Sequence, residues 1–339
     1  MGRVYFWAGS DDGSSWYRVT NPSMALQWSG HKVEGSEHIV LGQALHCDAV
    51  VGSRVAKPQA LDLWRKLTEL PDRPRLFLDI DDDYFHIEPS NKVAFDFWNV
   101  DLLSGLVEGM HLSDGVIVTT DRQAASVAAQ GIPERKIHVI PNGMHAMYLG
   151  LPRDYACEGR PVRLGWSGSA NTAVDLPMIA KAANRAGDTL GTVMLTLGVP
   201  ADYARRMGLG GGGQLLSAPW VQHGEPYLEA VQEFDIWLAP YHSSTFNEAK
   251  FPTKALEAGM LGIPLIASDI APYREWIEHG VSGFLVPADP SVSHLWGKYI
   301  KRLVTEPGLR KSMGEAGRAR AAHNIMQAIG RDWERVLFG

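Results

Sequence analysis

Phe246-Asn247-Glu248-Ala249-Lys250-Phe251-Pro252-Thr253-Lys254-Ala255-Leu256-Glu257-Ala258-Gly259 decides how this chain is read. The run before it, Asp235-Ile236-Trp237-Leu238-Ala239-Pro240, has the length and composition of a buried strand. The run after it, Leu261-Gly262-Ile263-Pro264-Leu265-Ile266-Ala267-Ser268, reads as a turn and a second buried strand. The stretch is therefore the loop and helix of a strand–helix–strand unit. In parallel sheets, ligands bind beyond the carboxyl ends of the strands, where helices begin. Lys250, Lys254 and Glu257 are spaced by four and three, which predicts that they share one helix face. Two cations at a helix start suit an anion, and a carboxylate one turn on suits sugar hydroxyls. The pattern predicts a pocket for a nucleotide with a diphosphate. The competing reading is a solvated face with an internal Lys–Glu pair.

Working outward, the same device recurs. Val162-Arg163-Leu164-Gly165-Trp166 predicts a strand, then a small-residue loop, Ser167-Gly168-Ser169-Ala170-Asn171, then a helix from about 174. Strands are expected at 192–198, 215–220 and 283–286, and helices at 226–232, 272–279, 291–304, 307–321 and 325–337. The first half alternates likewise, with strands at 3–8, 48–52, 74–78, 114–120 and 136–140 and helices between them. A helix is expected to end near Gly30-His31-Lys32-Val33, with His31 as a helix-end residue. Periodicity lapses between Met144 and Pro161, the best linker candidate. The expected fold class is α/β, with two Rossmann-like domains, 1–150 and 151–322, facing across a cleft. Residues 323–339 are expected to form a helix that packs back toward the first domain.

Bulk properties narrow the function. A hydrophobic content of 45% and a charged content of 21% are those of a globular chain rather than a disordered one. No apolar run approaches a membrane span, and the N-terminus lacks a basic segment followed by an apolar one, so a cytoplasmic protein is expected. Cys47 and Cys157 stand far apart and fit neither a disulfide framework nor a zinc site. Residues 1–150 hold 13 basic against 19 acidic residues, which leaves 19 of each in the remainder. An acidic first half weighs against a nucleic-acid partner.

One further stretch asks for explanation. Asp79-Ile80-Asp81-Asp82-Asp83 puts four carboxylates into five residues at a strand's end. Like charges this close raise one another's pKa unless cations or hydrogen bonds compensate. Metal binding, acceptor-hydroxyl binding and general-base work are candidate roles. Helix caps and Asx turns are the structural alternative.

Several motifs together resemble glycosyltransferase family 4, of the GT-B architecture. Gly30-His31-Lys32-Val33 resembles the family's G-H-x-V, and Val139-Ile140-Pro141-Asn142-Gly143 its V-I-P-N-G. Leu256 to Ser268 is similar to its L-E-A-x-A-x-G-x-P-V-I-A-S signature. Glu275 to Pro287 is similar to E-x-I-x-x-G-x-x-G-x-L-V-P. The matches run from about 30 to 287 and are poorest in the middle of the first half.

The resemblance implies a retaining transfer of a sugar from a nucleotide sugar, UDP- or GDP-linked, to an acceptor hydroxyl, with no metal or other cofactor required. It puts the donor ribose at Glu257. The family's first glutamate would fall on Ala249, with Glu248 beside it. The family's two phosphate cations are missing from the 167–171 loop, which leaves Lys250 and Lys254 as replacements, with backbone N–H groups of the Gly168 loop and of the helix start at Thr253. Ser167, Gly168, Ser169, Trp220, Tyr241 and Asn247 are the remaining expected donor contacts. Asp81, Asp82, Glu248 and Lys254 are the expected catalytic groups, and Ser15, Tyr17, Arg18 and Asp83 the expected acceptor or sugar contacts.

The acceptor stays open among a glycan, a protein, a small molecule and a modified DNA base; the acidic first half disfavours DNA. Few exposed apolar or basic helices are evident at the N-terminus, which disfavours a membrane-lipid acceptor. A sugar-nucleotide epimerase of the same architecture and a non-catalytic nucleotide-sugar-binding protein are the alternative functions.

Overall fold

The computed structural model describes residues 1–9, 13–170, 172–219, 221 and 224–339. The chain divides into two compact units. The first holds residues 1–145, 249–251 and 324–339, and the second holds 146–248 and 252–323.

In the first unit the strands are β1 (Arg3–Trp7), β2 (Lys32–Ser36), β3 (Ala49–Ser53), β4 (Arg75–Asp79), β5 (Gly115–Val118) and β6 (Ile137–Val139). They pair in the order β2-β1-β3-β4-β5-β6, and every pairing is parallel, with Val4 opposite both Val33 and Ala49. The buried pattern of β3 to β5 follows from their apolar runs, since a parallel sheet is covered on both faces. β2 is the element that periodicity misses. Its sequence, Lys-Val-Glu-Gly-Ser, is polar because it is an exposed edge strand, and the preceding helix ends earlier, at Trp28.

His31 sits before that strand. Its Nδ1 accepts from the Gly2 N–H at 2.9 Å, which directs the Nε2 proton to Glu334 at 3.0 Å, and its ring stacks on Phe338 at 4.4 Å. It is a structural link rather than a simple helix end. The C-terminal helix Met326–Phe338 packs into this unit's core, with Ile329, Trp333 and Leu337 beside Val4, Phe6 and Ile117. Trp333 meets Phe6 edge-on at 5.8 Å.

The second unit has β7 (Arg163–Ser167), β8 (Val193–Leu197), β9 (Gln214–Ala218), β10 (Ile236–Ala239), β11 (Leu265–Ser268) and β12 (Phe284–Val286). They pair in the order β12-β11-β10-β7-β8-β9, again all parallel. The chain moves from β7 toward β8 on one side and from β10 toward β11 on the other. The neighbours β7 and β10 therefore flank a topological switch point, where loops diverge and leave a crevice.

The aperiodic 146–161 segment is ordered against this unit: Arg310 donates to the Tyr155 and Ala156 carbonyls, and Arg318 to those of Leu149 and Leu151. Periodicity lapsed because this segment is a short 3-10 helix, Ala146–Gly150, followed by irregular chain, with carbonyls of both held by arginines. Gly262, in the Leu-Gly-Ile-Pro turn, has φ of +68° and would bring a Cβ within 2.4 Å of Arg318. Backbone conformation and space both demand glycine there.

Candidate donor site and the carboxylate run

The second unit gathers its polar groups at the carboxyl ends of β7, β10 and β11. Ser167 closes β7, and its hydroxyl lies 3.0 Å from that of Tyr227 on helix Glu225–Gln232. The Tyr227 hydroxyl donates to Glu257 Oε2 at 3.1 Å. Glu257 stands on helix Thr253–Leu261 and is 2% exposed. Burial pushes the Tyr227 phenol well above its ordinary pKa, and the Glu257 charge adds to this, so the phenol stays protonated as a donor. Just past β10, the Tyr241 N–H donates to Ser268 Oγ at 2.8 Å, and the Tyr241 hydroxyl accepts from Lys254 Nζ at 2.7 Å.

Further along the same loop, His242 bonds Asp175 through both its backbone N–H (3.1 Å) and Nδ1 (2.7 Å). Asn247 Nδ2 donates to the His242 carbonyl at 3.0 Å. Asp175 follows the β7 loop and His242 the β10 loop, so this pair ties together the two loops that flank the switch point.

Several expected residues land differently. Lys250 is not on the helix face of Lys254 and Glu257. The chain breaks between helix Thr245–Ala249 and helix Thr253–Leu261, as Pro252 requires, and Lys250 belongs to the first unit. Lys254 Nζ donates to Tyr241, and Glu257 accepts from Tyr227. The Gly168 N–H, expected to face a phosphate, donates to the Leu197 carbonyl at 3.0 Å, continuing the β7–β8 ladder. A Cβ at Gly168 would lie 2.3 Å from Thr172 Oγ1, so the loop is closely folded on itself.

Glu248 accepts from Ser243 Oγ at 2.9 Å and from the Ala271 N–H at 2.6 Å. These contacts tie two loops together. Ser169 is half-buried, its carbonyl holding the Thr172 and Ala173 N–H groups. Thr253 opens the helix behind Pro252, which supplies no side-chain cap. Trp220 lies outside the described residues.

In the first unit, the carboxylate run is real but divided. Asp79 is 2% exposed and takes the Arg18 guanidinium at 2.6 Å. Arg18 also donates to the Ile140 carbonyl (2.7 Å) and to Asn142 Oδ1 (3.2 Å). Asp81 accepts from Ser14 Oγ and from the Tyr84 hydroxyl. Asp82 pairs with Lys250 Nζ at 2.7 and 2.8 Å. Asp83 accepts from Ser126 at 2.7 Å and bonds His86 at 2.8 Å.

Burial raises the pKa of both Asp79 and Asp82, against which Arg18 and Lys250 respectively pull down. The three consecutive aspartates thus serve three separate sets of partners. Among the described residues, no group of three His, Cys, Asp or Glu is placed to hold a metal ion.

Arg18 and Asp83, expected as sugar contacts, are interior residues with their polar atoms committed to the protein. Arg18 instead braces the Val-Ile-Pro-Asn-Gly turn, aided by Asn21 Nδ2, which donates to the Gly143 carbonyl at 2.9 Å. Ser15 and Tyr17 are likewise buried, at 6% and 5% exposure. Sequence reasoning missed Tyr227, Asp175, His242 and Gln123, whose Nε2 holds the Asp81 carbonyl at 2.8 Å. Only Asp175 carried a signal, as an acidic residue just beyond a Gly/Ser loop.

Comparison with known proteins bears on the family and the fold. Residues 223–320 match the family described as Glycosyl transferases group 1. The D-inositol 3-phosphate glycosyltransferase of Thermobifida fusca is 30% identical over 105 residues, 31% of this chain and 21% of that protein. The match thus spans about a fifth of the curated relative's length.

Among solved structures, Anabaena HepE in complex with UDP-glucose is similar at a TM-score of 0.71 and 14% identity, over 99% of each chain. Sucrose-phosphate synthase from Thermosynechococcus elongatus gives 0.69 at 15%, over 99% of this chain and 98% of that one. S. aureus TarM gives 0.63 at 14%, over 86% of this chain and 55% of that one. The chain has the GT-B fold, with two Rossmann-like domains, and carries a glycosyl transferases group 1 region over 223–320. The resemblance borne by the sequence motifs holds.

Proposed function

We propose that the chain is a retaining glycosyltransferase that moves a sugar from a UDP- or GDP-sugar to an acceptor hydroxyl. The observation that carries this reading is the convergence of Ser167, Tyr227, Tyr241, Lys254 and Glu257 at the β7–β10 switch point. Most of these groups lie within the group 1 region. HepE was solved with UDP-glucose, which supports a uridine nucleotide sugar as the donor class.

In this reading Glu257 binds the donor ribose. A carboxylate accepts several hydrogen bonds, so the Tyr227 bond and a ribose hydroxyl are compatible. Lys254 spends one of its three donors on Tyr241 and offers the others to the diphosphate. The positive end of helix Thr253–Leu261 adds to its charge.

The bond from the anomeric carbon to the diphosphate oxygen breaks, and a bond to the acceptor oxygen forms. The acceptor's proton leaves with the departing phosphate or with solvent. Negative charge grows on the leaving diphosphate, so Lys254 binds the transition state more strongly than the ground state. Asp81 and Asp82, in the first unit, are assigned to the acceptor side, and Lys250 to fixing Asp82. The two buried, unpaired thiols, Cys47 and Cys157, suit a cytoplasmic setting.

Glu257→Ala and Lys254→Ala are expected to abolish transfer while far-UV circular dichroism stays that of the wild type. Near-normal turnover in both would overturn the site assignment. A donor that changes stereochemistry with no acceptor present would replace the reading by an epimerase.

A further inference from the structure

Helices Pro177–Leu190 and His294–Thr305 pack side by side over the second unit's core and leave a groove of about 890 Å³ between them. Its floor is apolar, with Met178, Ala182, Ala186 and Leu190 from the first helix and Trp296 from the second. The lining positions recur at intervals of three and four on each helix, so each helix contributes one continuous face. The groove exists because small residues stand where the two helices meet. A Cβ built on Gly297 would lie 3.9 Å from that of Ala182, in ordinary contact. The volume is that of a small-molecule cleft, and a mostly apolar lining with a few polar groups is the usual make-up of one.

Four cations line the same groove. Lys181 and Arg185 stand one turn apart on the first helix, and Lys298 and Lys301 one turn apart on the second. All four are exposed, and among the described residues none of them has a carboxylate partner. Other helices of this chain pair cations with acids at that spacing: Lys66 with Asp62, Lys92 with Asp96 and Lys311 with Glu315. On the second helix itself, Arg302 pairs with Glu306. Like charges one turn apart repel, so the fold gains nothing from this grouping. Among the described lining residues Asp289 is the one carboxylate, and it already accepts from the Ser291 N–H at 2.8 Å. An apolar floor under a positive rim complements a molecule with an apolar chain and an anionic head.

We propose that this groove binds a single long-chain alkyl anion, of the kind a fatty carboxylate presents, as a free monomer. The chain lies along Met178, Ala182 and Leu190, and the head is held by the Lys181, Arg185, Lys298 and Lys301 side chains, whose alkyl stems extend the apolar walls. A concave volume encloses one chain, whereas docking on a bilayer calls for an apolar face that protrudes. None of the donor-site side chains lines the groove, so the proposal goes beyond the glycosyltransferase reading and does not depend on it.

The test titrates the full chain calorimetrically with decanoate, decylammonium and acetate, each below its micelle concentration where it has one. Decanoate is expected to bind one to one, at least about tenfold more tightly than decylammonium, which reverses the charge, or acetate, which lacks the chain. The double variant Lys181→Gln, Arg185→Gln is expected to remove most of the preference for decanoate over decylammonium. Gly297→Leu, which fills the groove, is expected to weaken decanoate at least about fivefold with the unfolding midpoint not lowered. Equal affinity for decanoate and decylammonium, or decanoate binding that neither variant changes, would overturn the proposal. Co-sedimentation with phosphatidylglycerol vesicles that the double variant abolishes, in a protein that does not bind decanoate, would overturn it in favour of a membrane surface. A dimer that Gly297→Leu dissociates would overturn it in favour of a second copy of this chain.

Discussion

The two sheets end in opposite ways. At the carboxyl end of β4, acidic groups are crowded along the chain yet separated in space: Asp79 to Arg18, Asp81 to Ser14 and Tyr84, Asp82 to Lys250, Asp83 to Ser126 and His86. At the ends of β7 and β10, polar groups far apart along the chain are brought together: Ser167, Tyr227, Tyr241, Lys254 and Glu257. Density of charge in sequence is therefore a poor guide to a site, because each charge in a run finds its own partner. Convergence at a switch point is a better one, since the topology leaves a crevice there whatever the sequence.

This comparison can be broken at each end. The largest effect is expected at Arg18. Replacing it by Met strands a buried carboxylate, and about 3–5 kcal/mol of stability should be lost. The double variant Arg18→Met, Asp79→Leu should recover most of this in denaturant titrations, because no buried charge is left alone. If Arg18→Met unfolds no more easily than the wild type, the pair does not brace the Val-Ile-Pro-Asn-Gly turn.

Next comes Lys254→Met. Loss of a cation that serves the leaving diphosphate should lower kcat by about a hundred- to a thousandfold, with the unfolding midpoint little changed. A change confined to KM would mean that Lys254 binds donor and transition state alike.

Tyr227→Phe is expected to cost less. It removes the hydroxyl that donates to Glu257 and also meets Ser167, at about 1 kcal/mol for each buried bond. Nucleotide-sugar affinity should fall about fivefold to tenfold, as read by calorimetry. An affinity equal to the wild type's would show that Tyr227 does not orient Glu257.

The smallest effect belongs to Asp82→Asn, under about 1 kcal/mol, because the pair with Lys250 is partly solvated. Its pH dependence has a definite sign. The folded carboxyl titrates above the ordinary aspartate range, so its protonation favours the folded state. The contribution is full below the unfolded value of about 4 and is lost as pH rises through the folded value. The stability advantage of wild type over Asp82→Asn should therefore shrink with rising pH in thermal unfolding scans. An advantage that grows with pH would mean that Lys250 outweighs burial.

Much of the fold was legible because parallel strands are written as apolar runs. Ile236-Trp237-Leu238-Ala239 and Leu265-Ile266-Ala267-Ser268 are buried at every position. What escaped was set by other physics. β2 is polar because an edge strand faces water. Lys250 looked helical by spacing, but Pro252 stops the helix that spacing assumed. Glu257 and Lys254 were visible through their motif. Tyr227 was not, because it reaches Glu257 from a helix thirty residues earlier and no local pattern records that distance.

The central claim is that the β7–β10 switch point is a nucleotide-sugar site. Calorimetric titration of UDP- and GDP-sugars into the wild type and into Glu257→Ala tests it most directly. The account predicts that a nucleotide sugar binds the wild type and that Glu257→Ala, with its circular dichroism unchanged, binds it at least about tenfold more weakly. Equal affinity in the two proteins would contradict it.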